Sequence, residues 1–82
     1  MRQKKITIGE TEYNLQGLNA REFLRMKKSA TDERGNLDDE KFYDLICENV
    51  IISPRITLDD FETPSELQEV MKPVLRFLTG TD

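Results

Sequence analysis

The chain has 82 residues, 37% of them hydrophobic and 34% charged, and its 16 acids against 12 bases leave a formal net charge of −4. That length holds one domain, residues 1–82, with a thin core, because a chain of this size buries only about 60% of the surface its unfolded form exposes. The acidic balance argues against a nucleic-acid binder, which neutralises phosphates with a basic surface, and no apolar run approaches the roughly 18 residues that cross a bilayer.

Residues 1–16 read as a β-hairpin. Lys5-Ile6-Thr7-Ile8 and Glu12-Tyr13-Asn14-Leu15 each alternate polar and apolar, and Gly9-Glu10 lies between them. A Gly-X pair between two alternating runs predicts a type II′ turn, since glycine accepts the positive φ of the first central position. The resulting register sets Ile6 opposite Tyr13, Ile8 opposite Thr11 and Lys4 opposite Leu15. One face of this hairpin is apolar and has to be covered, because an isolated hairpin is marginal in water.

Residues 19–80 read as a helical bundle. Leu18-Asn19-Ala20-Arg21-Glu22-Phe23 combines a capping asparagine, a reciprocal glutamate and a hydrophobic staple. It predicts a helix to about Ala30 with Phe23, Leu24 and Met26 inward. Thr31 to Asn36 is a polar turn-forming loop. Asp38 caps a second helix that reaches Val50 or Ile51, and Phe42, Leu45, Ile46, Asn49 and Val50 share one face of it. Ser53-Pro54 ends that segment, because the residue before proline avoids the α region. Thr57-Leu58-Asp59-Asp60-Phe61 predicts a single helical turn. Thr63-Pro64-Ser65-Glu66 then opens a third helix with a cap, a proline at its first position and a reciprocal glutamate. Leu67, Val70, Met71, Val74, Leu75 and Leu78 give that helix an amphipathic stripe, Pro73 predicts a kink or a split within it, and Gly80 ends it.

Little in the chain points to catalysis. There is no histidine, hence neither the commonest general base nor the commonest metal ligand. The single cysteine, Cys47, sits beside Ile46 at a near-core helical position and reads as an inert thiol, suited to a reducing compartment. The loop from Asp32 has the flavour of a calcium site, but an EF-hand started there would place Arg34 at position 3 and Tyr43 at position 12. Glu40, Asp44 and Glu48 form an acidic stripe at i, i+4, i+8. That stripe is either a solvated face opposed by Arg21, Arg25 or Lys28, or a docking surface for a basic partner. Charge is also split along the chain. Residues 1–35 hold eight bases against five acids (+3) and residues 36–82 four bases against eleven acids (−7). The two halves either attract within one monomer or order copies of the chain head to tail.

The succession of Lys5 to Leu15, then Leu18-Asn19-Ala20-Arg21-Glu22-Phe23-Leu24, then an acidic helix ending in Val50-Ile51-Ile52-Ser53-Pro54, then Leu58-Asp59-Asp60-Phe61 resembles the tail assembly chaperones of long-tailed bacteriophages and related prophages. The resemblance covers nearly the whole chain and carries no catalytic motif. It implies a non-enzymatic helper in the cytoplasm of a bacterial host, one that coats the tape measure protein, keeps it soluble and helps recruit tail tube subunits.

The expected architecture is α+β, a short N-terminal β-hairpin packed on a small bundle of three main α-helices. No catalytic, metal-binding or cofactor-binding residue is assigned. Phe77 widens the last stripe beyond what a small bundle needs, so that stripe is either core alone or core and interface together. The partner-binding role falls on Phe61, Met71, Leu75, Phe77 and Leu78, with the tape measure protein, the tail tube protein and further copies of the chain as partners, and neither nucleic acid nor membrane. A competing reading is a small acidic phage-encoded inhibitor, a mimic of DNA that binds a host protein and uses the −7 half. A carboxylate-based hydrolase is a further alternative and would need a pocket of converging acids.

Overall fold

The computed structural model describes residues 2–80. Its elements in chain order are β1 (Gln3–Ile8), β2 (Thr11–Gln16), α1 (Ala20–Ser29), α2 (Asp39–Asn49), β3 (Ile51–Ser53), a 3-10 turn (Leu58–Asp60) and α3 (Pro64–Thr79). The class is α+β, with a three-stranded antiparallel sheet in the order β1-β2-β3.

The hairpin pairs in the expected register, Ile6 with Tyr13, Ile8 with Thr11 and Lys4 with Leu15. Gly9 has φ 61 and no non-glycine residue has positive φ, a combination that fits a type II′ turn and excludes type I′. β2 is the central strand, so Tyr13 and Leu15 are buried. α3 packs on β1 and covers part of the apolar hairpin face.

β3 corrects the expectation that residues 19–80 are purely helical. The chain leaves α2 at Val50 and runs straight into a short strand, with Asn14 opposite Ser53, Leu15 opposite Ile51 and an irregularity between them. A free edge of β2 is satisfied in this way. The Gln16 N–H donates to the Val50 carbonyl (2.9 Å) and the Gln16 side-chain amide to the Asn49 carbonyl (2.8 Å), so β2 also ties off the end of α2. Ile51 is fully buried, as a strand residue rather than a helical one.

The helix starts follow the sequence signals. The Asn19 side chain accepts from the Glu22 N–H (2.8 Å) while the Glu22 carboxylate accepts from the Asn19 N–H (3.1 Å), which makes a complete capping box. The Asp38 carboxylate accepts from the N–H groups of Glu40 and Lys41. The Thr63 hydroxyl caps α3 by accepting from the Glu66 N–H (3.2 Å), but the Glu66 carboxylate accepts from the Glu62 N–H instead of returning to Thr63. α3 passes through Pro73 as one helix and ends at Gly80, whose φ is 83. Val70, Met71, Val74 and Phe77 anchor both halves of α3 in the same core. The carbonyl that Pro73 leaves without its helical N–H belongs to Glu69, an exposed residue.

Leu15, Ile46, Val50, Ile51, Met71 and Val74 are the largest fully buried side chains. They come from β2, α2 and its C-terminal cap Val50, β3 and α3, so the core lies where sheet and helices meet. A leucine, isoleucine, valine or methionine in such a place contributes about 1.5–3 kcal/mol by burial. No helix among the described residues is long and apolar enough to cross a membrane.

Candidate functional site

The residues expected to meet a partner separate into two sets. Met71, Phe77 and Leu78 are 0%, 2% and 7% exposed and belong to the core of this chain, which corrects their assignment to an interface. Phe77 is needed at home. The Arg2 guanidinium carbon stands 4.6 Å from its ring centroid, and Gly17 lies so close that an added Cβ would sit 3.7 Å from its Cζ. The width of the α3 stripe therefore reflects packing on the sheet and on the segment after it. Phe61 and Leu75 are partly buried at the margin of the core.

Phe61 does border a surface site. It lines an open groove of about 470 Å³ together with Ile8, Gly9, Thr11, Tyr13, Pro54, Ile56, Asp60, Glu66, Glu69 and Val70. Three separate stretches build it. The hairpin tip gives Ile8 and Tyr13, the segment after β3 gives Ile56 and Phe61, and the first turns of α3 give Glu66, Glu69 and Val70. The floor is apolar. Asp60, Glu66 and Glu69 are exposed and make the rim acidic. The Asp60 carboxylate accepts from the Thr57 N–H (2.8 Å) and the Glu66 carboxylate from the Glu62 N–H (3.1 Å), so each is held in place by the backbone. Such a groove suits a polypeptide segment with an apolar anchor and basic flanks. Ile8, Tyr13, Ile56 and Val70 were not assigned to a site by the sequence reading. The signal available was the apolar hairpin face, which α3 covers only in part, leaving Ile6 and Ile8 half-buried.

A second surface lies on α1. Met26 is buried and Phe23 half-buried, but Leu24 is 61% exposed and does not point inward as expected. One residue on from Phe23 is a turn of about 100°, which carries Leu24 away from α2. It shares its outward face with Arg21 at i−3 and Lys28 at i+4, and Arg25 lines the same open surface. The expected opposition of these bases to Glu40, Asp44 and Glu48 does not occur, and no ion pair joins the two groups among the described residues. All three acids are exposed.

Cys47 is buried on α2. Its pKa is raised from 9.0 to about 11, first by burial and then by the nearby carboxylates of Asp44, Asp60 and Glu48. At neutral pH it is a neutral thiol and a poor nucleophile. In the polar loop the Asp32 carboxylate accepts from the N–H groups of Arg34 (2.9 Å) and Asn36 (2.8 Å), so it stabilises its own turn. Among the described residues no group of three or more Cys, Asp or Glu side chains is placed to hold a metal ion.

No family model matches the chain, and no curated protein or solved structure matches it.

Proposed function

We propose that this protein is a non-catalytic tail assembly chaperone that holds a segment of another polypeptide in the groove beside Phe61. The observation that carries the reading is the groove itself, an apolar floor with a rim of three carboxylates, built from three stretches of chain. Apolar contact supplies affinity, and the acidic rim supplies orientation and solubility. The resemblance to phage tail assembly chaperones names the tape measure protein as the client, with the tail tube protein as a further partner. Repeated weak contacts along a long client suit so open a site better than one tight contact would.

The test is capture of the co-expressed tape measure protein. The wild-type chain retains it. Phe61→Asp and, separately, the surface change Glu69→Lys lower the retained amount by about tenfold or more if each is a principal contact. Full retention by both variants, with folding intact by circular dichroism, would overturn the assignment of the groove.

The acidic inhibitor is the second reading, and one observation favours it. Glu40, Asp44 and Glu48 line the exterior of α2 with no paired base. Binding through that face would weaken steeply as salt rises through a few tenths molar, whereas binding through the apolar groove would persist.

A further inference from the structure

Two surfaces of this chain have complementary chemistry. On α1, Leu24 is the most exposed of the large apolar side chains among the described residues, and Arg21, Arg25 and Lys28 surround it. At the hairpin tip, the apolar groove beside Phe61 is rimmed by Asp60, Glu66 and Glu69. One is an apolar knob among three cations, the other an apolar groove among three carboxylates. No residue lines both.

The topology keeps the two apart within one molecule. The groove borders the turn at Gly9, whereas α1 begins just beyond Gln16, at the opposite end of the hairpin. Six-residue strands put roughly 20 Å between those ends. α1 is also fixed at both of its ends. The Asn19 capping box holds its start, and the Ala30 carbonyl, just past its end, accepts from the Asp38 N–H (2.7 Å) at the start of α2. A chain therefore cannot fill its own groove with its own α1, but it can fill another's.

We propose that in the absence of a client the groove is occupied by α1 of a second copy, with Leu24 on the apolar floor and Arg21, Arg25 and Lys28 against the acidic rim. The contact joins two different surfaces, so each added copy presents a fresh groove at one end and a fresh α1 face at the other. The result is an open chain, or a ring where the rotation closes. One helix face in one shallow groove is a small interface. The association is accordingly weak, dependent on concentration and sensitive to salt. A client displaces α1 from the groove; this step alone rests on the proposed chaperone function.

Sedimentation velocity and light scattering over a concentration series test the contact. The average mass should rise with concentration and fall on moving from about 0.05 M to 0.5 M salt, as screening of exposed charge requires. Leu24→Asp and Phe61→Asp should each raise the concentration for half-association by about tenfold or more. Glu69→Lys, an exposed position, should do the same without touching the core. Mixing Leu24→Asp with Phe61→Asp protein leaves one sound groove and one sound α1 face, so the mixture should stop at two chains. A wild-type chain that stays monomeric throughout, a Leu24→Asp chain that assembles as before, or a mixture that stays monomeric while both variants are folded would overturn the proposal. In the client arm, added tape measure protein should dissolve the wild-type assemblies and bind Leu24→Asp protein undiminished. Assembly with no client binding would refute the chaperone reading and leave the contact between copies standing, whereas client binding by a strictly monomeric chain would do the reverse.

Discussion

α1 and α3 both open on a side-chain cap and both carry apolar residues on one side, yet they use them in opposite ways. α3 commits Val70, Met71, Val74, Phe77 and Leu78 to the core. α1 commits Met26, half-buries Phe23 and turns Leu24 into solvent among bases. The helix with the longer apolar stripe is the one least able to meet a partner, because a chain of 82 residues has few large apolar side chains and its sheet needs them. In so small a domain a clean amphipathic stripe marks the core. An apolar residue out of phase with its helix is the better pointer to an interface.

The largest effects should fall on α3. Phe77→Ala removes a ring packed between the core, Gly17 and the Arg2 guanidinium. It should cost about 3–5 kcal/mol, against a total of about 4–12 kcal/mol expected for a domain of this length at 0.05–0.15 kcal/mol per residue. Urea unfolding measures it. A cost within the range of ordinary surface changes, about 0.5 kcal/mol, would mean that Phe77 is free for a partner after all.

The same contrast accounts for what could be read in advance. Hairpin register, both turns of chain at Asn19 and Thr63, and the 3-10 turn after Thr57 were legible because each depends on residues close in sequence. β3 was not. Its three residues carry no periodicity, and it exists because β2 has an edge to satisfy. The groove was legible only through Phe61. Ile8, Ile56 and Glu69 come together by tertiary packing, and no spacing within the chain announces that. Phe77 was misassigned because its partners, Arg2 and Gly17, lie sixty or more positions away in sequence. Leu24 was placed inward together with Phe23 and Met26, although the step of about 100° from Phe23 already separates their directions.

Capping should give the next largest effect, and it sharpens the comparison because α1 has less core to hold it than α3. Asn19→Ala removes an acceptor for the Glu22 N–H and unbalances a reciprocal pair. Thr63→Ala removes a single acceptor for the Glu66 N–H. Each should cost about 0.5–2 kcal/mol. Hydrogen exchange should show the loss at Asn19 confined to α1, while the loss at Thr63 should be shared with the core that α3 anchors. Equal spread of the two effects would erase the distinction between a helix held by its caps and one held by its packing.

Cys47 reports on the dryness of the buried side. Its folded pKa is raised from 9.0 to about 11, so the thiol stays neutral in the native state after the unfolded thiol has begun to ionise. The unfolded state then binds fewer protons than the native state, and stability falls as pH rises from about 9 to about 11. Other groups titrate in that window, so the measurement is a difference. The urea midpoint of Cys47→Ala should decline less steeply across it than that of the wild type, and the two slopes should agree below pH 8 to within about the scatter of such data. Parallel slopes throughout would mean that water reaches Cys47.

The smallest change in stability should come from Leu24→Lys. The side chain is 61% exposed and lines only the open face of α1 with Arg21, Arg25 and Lys28. Lysine is as good a helix former as leucine to within a few tenths of a kcal/mol. The added cation repels Arg21 at i−3 and Lys28 at i+4, which costs about 0.2–0.5 kcal/mol per pair at low salt. The net shift should stay within about 1 kcal/mol and shrink as salt is added. A loss the size of that at Phe77 would place Leu24 in the core. With α1 then facing inward along its whole apolar side, the contrast between the two helices would collapse. A small shift that vanishes in salt fixes Leu24 as a residue the fold does not need, which leaves its exposure to be explained by what it touches in another molecule.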